Sequence, residues 1–284
     1  MGAGLAPFAE HLGRADSRID LAQACLMIAE DAYPGLDVEG YVTEVARLAL
    51  RLRTRLPRDA GAEEKVVELN QFLFEELGYS GNAEHYYDPR NSYLNEVIDR
   101  RTGIPLTLSV LYMELGRKIG LPLEGVSFPG HFLVRVRMRG GMLVLDPFAG
   151  GDPQSEDELR ARLERVVPRE ATGGVPVRDL PLEQFLEPAT NRQILARLLR
   201  NLKAIYRQAE MPERMLDVLN RALVVTPDSA SDLRDRGIVY QQLQCYRAAL
   251  RDLTDYVARD PDASDADEMR VKVIELSTLC ARLN

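Results

Sequence analysis

The chain has 284 residues, 45% hydrophobic and 28% charged, with a formal net charge of −8. That length carries one large domain or two ordinary ones, with a core that needs no disulfide staples. The acidic balance argues against nucleic acid as the main partner, because phosphate binding needs clustered positive charge.

The opening run MGAGLAPFAEHLGR lacks a charged region followed by an apolar one, and no stretch approaches about 18 consecutive apolar residues. The three cysteines, Cys25, Cys245 and Cys280, lack metal-ligand or CxxC spacing and fit a reducing compartment. The expectation is a cytoplasmic chain with no signal peptide and no membrane span. Helices are predicted over Asp20–Tyr33 and Val38–Leu56, with Pro34-Gly35 and Pro57 as punctuation. Ala62–Leu77 reads as one amphipathic helix closed by Gly78. Gly81–Asn91 is polar and rich in turn residues, and a short helix is predicted over Ser92–Arg101. Pro105 suits the first position of the next helix, LTLSVLYMELGRKIG, which Gly120 closes.

After Pro122 the pattern becomes that of strands. Phe132, Val134, Val136 and Met138 share one face of a strand; His131, Leu133, Arg135 and Arg137 share the other. Gly140-Gly141 signals a tight turn, and Met142–Leu145 returns to end at Asp146-Pro147. A helix is predicted over Ser155–Val166. Gly173-Gly174, Pro176 and Pro181 suggest a boundary between domains at 1–180 and 181–284.

Beyond it two segments match at an offset of 34 residues: Tyr206 with Tyr240, Leu216 with Leu250, Leu219 with Leu253, and Thr226-Pro227-Asp228 with Asp260-Pro261-Asp262. A helix–turn–helix period of that length with a terminal proline is the tetratricopeptide signature. Gly237, Tyr240, Ala249 and Pro261 fall at consensus places, whereas Lys203 stands where the first copy should have a glycine. Asp265–Leu283 would cap the array. Such modules bind peptides or proteins.

His131 lies opposite the apolar strand face, and Asp146 ends the returning strand of the same hairpin. A carboxylate near an imidazole fixes its tautomer and stabilises its cation. Glycine loops with phosphate-binding spacing are absent, three scattered histidines make no zinc site, and no cofactor is expected.

The run GIPLTLSVLYMELGRKIGLPLEGVSFPGHFLVRV, then LVLDPFAGG, preceded by NQFLFEELGYSGNAEHYYDPRNSYLNEVIDRRTG, resembles the transglutaminase-like core of the bacterial SirB-one family, over roughly residues 20–280 with the repeat tail. The resemblance implies an α+β, papain-like core with a small antiparallel sheet behind a helical N-terminal region, followed by all-α repeats. The wider superfamily uses Cys, His and Asp; here histidine and aspartate fall on His131 and Asp146, and the cysteine position falls on Pro105. Proline offers no nucleophile. Ser109, one helical turn on, is a possible substitute, and Thr107 and Ser127 lie nearby; the first expectation for each is a buried hydroxyl bonded to backbone. Cys25 reads as a core thiol. Glu75, Glu76, Asp88 and Asn91 could line the cleft or cap helices. Arg135, Arg137 and Arg139, with Arg100 and Arg101, could attract an anion or form a solvated face. The expected function is binding of a protein or peptide by a degenerate enzyme fold. The alternative is a hydrolase or acyl/amide transferase using His131 and Asp146 with a non-cysteine nucleophile or water.

Overall fold

The computed structural model describes residues 4–168, 170, 173 and 175–282. Gly174 of the expected boundary and Leu283 of the expected last helix lie outside the described residues. In chain order the helices are α1 (Leu5–Leu12), α2 (Leu21–Ala29), α3 (Val38–Arg53), α4 (Ala62–Asn70), α5 (Leu94–Arg100), α6 (Pro105–Lys118), α7 (Glu156–Val166), α8 (Asn191–Gln208), α9 (Pro212–Val225), α10 (Ala230–Gln242), α11 (Tyr246–Arg259) and α12 (Ala266–Arg282). The strands are β1 (Ser80–Gly81), β2 (Thr102–Gly103), β3 (Glu124–Val126), β4 (Leu133–Met138), β5 (Gly141–Asp146) and β6 (Asp152–Pro153). Contacts gather the chain into two compact units: Asp16–Ala29 with Gly35–Ile194, and Met1–Ala15 with Glu30–Pro34 and Leu195–Asn284.

The first unit is built around α6. Its sequence is apolar nearly all round, as a fully enclosed helix requires. It packs against α2, α3, α4 and α5 and against β3 and β4. Pro105 opens it, Thr107 Oγ1 accepts the Ile104 N–H at 3.2 Å, and Gly120 at φ +71° turns the chain away.

The helix predicted over Ala62–Leu77 is in fact two. An α-helix ends at Asn70, and Gln71–Glu76 continue as a π-helix. Phe72 and Leu73 are both fully buried, and the next residue, Phe74, stacks on Tyr112. Three adjacent large residues with inward contacts exceed what one α-helical face holds, and an i→i+5 turn spreads them. Other ends shift: α2 stops at Ala29, and the stretch expected to begin at Ser92 starts as the 3-10 turn Pro89–Ser92 before α5.

The sheet order is β3-β4-β5-β6, all antiparallel. Met138 pairs with Gly141, so the hairpin turn is Arg139-Gly140 and not Gly140-Gly141. Gly141 instead opens the strand at φ +141°, a backbone that side chains resist. Leu133 was expected on the outer face, yet it is fully buried with Val144, Leu159, Leu163 and Val177, because α7 and the segment after it cover that face. Arg135 is half-buried rather than part of a solvated face; it donates to Glu124 at 2.8 Å and to the Leu186 carbonyl at 2.6 Å.

In the second unit α9–α12 pack in succession, with α1 against α9. Leu233, Ala249, Leu253, Tyr256, Met269 and Leu276 form its core. The matched glycine of the repeat, Gly237, allows close helix packing: a Cβ there would lie 2.6 Å from Leu253 Cδ2. In the first copy Lys203 is ion-paired with Asp232 at 2.5 Å and Asp235 at 3.1 Å, so a salt bridge replaces close packing. Among the described residues no helix is long and apolar enough to cross a membrane.

Candidate functional site

Asp146 closes β5, and its side chain starts the turn Pro147–Ala149 by accepting the Phe148 N–H at 3.1 Å. Gly130 at φ +67° turns the chain toward β4, where a Cβ would lie 2.9 Å from Val166. Val134 pairs with Leu145. Continuing that register puts His131 and Asp146 on one face, diagonally across the strand ends. There His131 Nε2 lies 2.9 Å from both carboxylate oxygens. A carboxylate only accepts, so Nε2 carries the proton and, in the neutral ring, Nδ1 is an acceptor.

Arg162 of α7 is a third member that sequence reasoning missed. It donates from Nη2 to Asp146 Oδ2 at 2.8 Å and to Gln154 Oε1 at 3.3 Å. Burial pushes the Asp146 carboxyl up, but the His131 hydrogen bond and charge, the Arg162 guanidinium and the Phe148 N–H outweigh it and hold it below the usual carboxylate range. A signal for Arg162 existed: it shares a helix face with the buried Leu159 and Leu163, where a cation needs a partner.

The loop after Asp146 is tied down. Gly151 N–H donates to the Asp146 carbonyl at 2.9 Å. The Gly151 carbonyl accepts from Asn70 Nδ2 at 3.0 Å, and Asn70 Oδ1 accepts from the Tyr112 hydroxyl at 2.8 Å. Phe148 meets the His131 ring edge-on, centroids 5.9 Å apart. Its ring lies against Gly81, where a Cβ would approach within 2.5 Å.

Pro105 is buried at the first position of α6 and carries neither hydroxyl nor thiol. Ser109 is fully buried, and its Oγ has no hydrogen-bond partner among the described residues. Thr107 donates to the Asn91 carbonyl at 2.7 Å. Burial pushes the Cys25 thiol up, with Asp20 adding to the effect, so it stays protonated and inert. Among the described residues the imidazole's hydrogen bonds run to Asp146 alone. Of the acidic and amide candidates, Asp88 caps a turn by accepting the Arg90 N–H at 2.9 Å, and Glu76 pairs with Arg51 and Arg55. Asn91 is fully buried and braces the 82–91 loop.

Residues 39–200 match the profile of the transglutaminase-like superfamily, and residues 202–273 match a tetratricopeptide repeat profile. A UPF0162 protein of Xylella fastidiosa (strain Temecula1) is 42% identical over 92% of each chain. One from Vibrio cholerae is 31% identical over 91% of this chain and 93% of its own. Protein SirB1 of Salmonella typhimurium is 25% identical over 81% of this chain and 82% of its own. With a His–Asp pair on the core hairpin, helical repeats following it in the chain and relatives along almost its whole length, the chain belongs to the SirB-one (UPF0162) family of transglutaminase-like proteins with C-terminal tetratricopeptide repeats.

Proposed function

We propose that this is a non-catalytic protein-binding or regulatory protein, built on a transglutaminase-like fold with Pro105 in the place of the nucleophilic cysteine. The observation that carries this reading is the hydrogen bonding of His131: its partner is Asp146, and no hydroxyl or thiol among the described residues is bonded to the ring. Removing a nucleophile abolishes covalent catalysis and leaves binding and polarisation. What remains is a fixed polar fixture, Nδ1 of an imidazole held by a buried carboxylate, able to accept from an N–H or O–H of a bound segment.

The repeats supply a second surface, since tetratricopeptide arrays generally mediate protein–protein interactions. A cavity of about 540 Å³ in that unit, lined by residues including Arg200, Lys203, Thr226, Asp228 and Asp232, has room for a few side chains. The partners are proteins or peptides rather than nucleic acid or membrane, and the setting is cytoplasmic.

The intact dyad favours a second reading, a hydrolase or acyl/amide transferase in which water or a serine such as Ser109 is activated by His131. Turnover of acyl-ester and primary-amide probes separates the two. Wild type and His131→Ala should both stay at the buffer rate. Turnover by wild type that His131→Ala loses, with its circular dichroism unchanged, would establish the second reading.

A further inference from the structure

The 82–91 loop is braced by its own side chains. Asn82 Oδ1 accepts the His85 N–H at 3.0 Å, and Asn82 Nδ2 donates to Asn91 Oδ1 at 3.2 Å. Asn91 Nδ2 donates to the His85 carbonyl at 2.7 Å. Asp88 holds Arg90 through both carboxylate oxygens. This bracing presents two large rings to solvent: Tyr86 is 37% exposed and Tyr87 69%. The rings continue inward in edge-to-face steps. Tyr87 and Tyr86 are 5.4 Å apart, Tyr86 and Phe148 6.4 Å, and Phe148 and His131 5.9 Å.

We infer that Tyr86, Tyr87 and Phe148 form the specificity shelf of the His131 site and receive a neutral, flat apolar side chain, an aromatic residue in an extended peptide. The inference rests on reading the His131 site as a binding site. Exposed aromatic pairs on a preorganised loop bind at low entropic cost, and ring edges and faces favour another ring. The guanidinium cations beside the shelf are spent internally: Arg162 on Asp146, Arg90 on Asp88. That leaves little to select a charged ligand. Glu84, exposed on the same loop, is a carboxylate outside those pairs, and a lysine peptide tests it. Gly81 is a positioning residue, because a side chain there would displace Phe148.

The chain contains no tryptophan, so a tryptophan ligand can be excited without protein background. A blocked pentapeptide, Ala-Ala-Trp-Ala-Ala, is titrated with the full chain and its emission and anisotropy followed. Saturable binding is expected, weakened about three- to tenfold by Tyr87→Ala and by Tyr86→Ala and unchanged by Ile274→Ala on α12. The phenylalanine analogue should compete, and the lysine and glutamate analogues should compete no better than the all-alanine peptide. Absence of saturable binding, binding indifferent to both tyrosine substitutions, or preferential competition by lysine would overturn the shelf. Cleavage or acyl transfer of the bound peptide would instead refute the non-catalytic reading and leave the shelf standing.

Discussion

Asp146 is the residue on which the site turns. It is buried, and it serves His131, Arg162 and the Phe148 N–H at once. Replacing it with asparagine leaves the Arg162 guanidinium and the His131 Nε2–H facing a neutral amide. Asp146→Asn should therefore lose roughly 3 kcal/mol of stability at neutral pH. The sign of the pH dependence follows from the depressed carboxyl. Its contribution is full above the unfolded carboxylate value near ~4 and disappears as pH falls through the lower folded value. Urea titrations of both proteins should show a wide gap at pH 7 that narrows below about pH 4; a gap independent of pH would contradict this. The dyad itself was legible, because alternation and the hairpin bring position 131 to position 146. Asn70 and Tyr112, which anchor the following loop, were not. Their contacts cross 81 and 42 residues of chain, and local pattern carries no trace of such pairs.

Among the elements, most boundaries followed from proline, glycine and apolar spacing, and the exceptions have tertiary causes. The π-helix at Gln71–Glu76 answers to Phe72, Leu73 and Phe74, which need inward contacts that a propensity reading cannot weigh. The outer sheet face was read as open because Arg135 and Arg137 alternate there, but α7 covers it at Leu133. In the repeats, the 34-residue offset fixed the helix pairs correctly, and Lys203 explains its own departure from consensus through Asp232 and Asp235. The two copies should then respond differently to mutation. Gly237→Ala forces a methyl into Leu253 and should cost about 1–3 kcal/mol by chemical denaturation. Lys203→Ala should cost less, since Asp235 keeps Arg207 and Arg234. Equal losses would mean that both copies rely on the same close packing.

For the molecule as a whole, fold and family were legible because the motifs that carry them are long. Function was less so, because the motifs name a fold and carry no substrate or partner. We propose that the superfamily frame persists at His131 and Asp146 and that Pro105 stands in the nucleophile's place. Returning the thiol tests this most directly. Pro105→Cys should keep the helix start, since proline is favoured but not required at a first helical position. Incubated with an acyl thioester and mapped by peptide mass spectrometry, the folded variant is expected to carry the acyl group on residue 105. The adduct should be lost when His131→Ala is added, while Cys25 stays unmodified. A folded Pro105→Cys protein that is not acylated at residue 105, or is acylated equally without His131, would contradict the account.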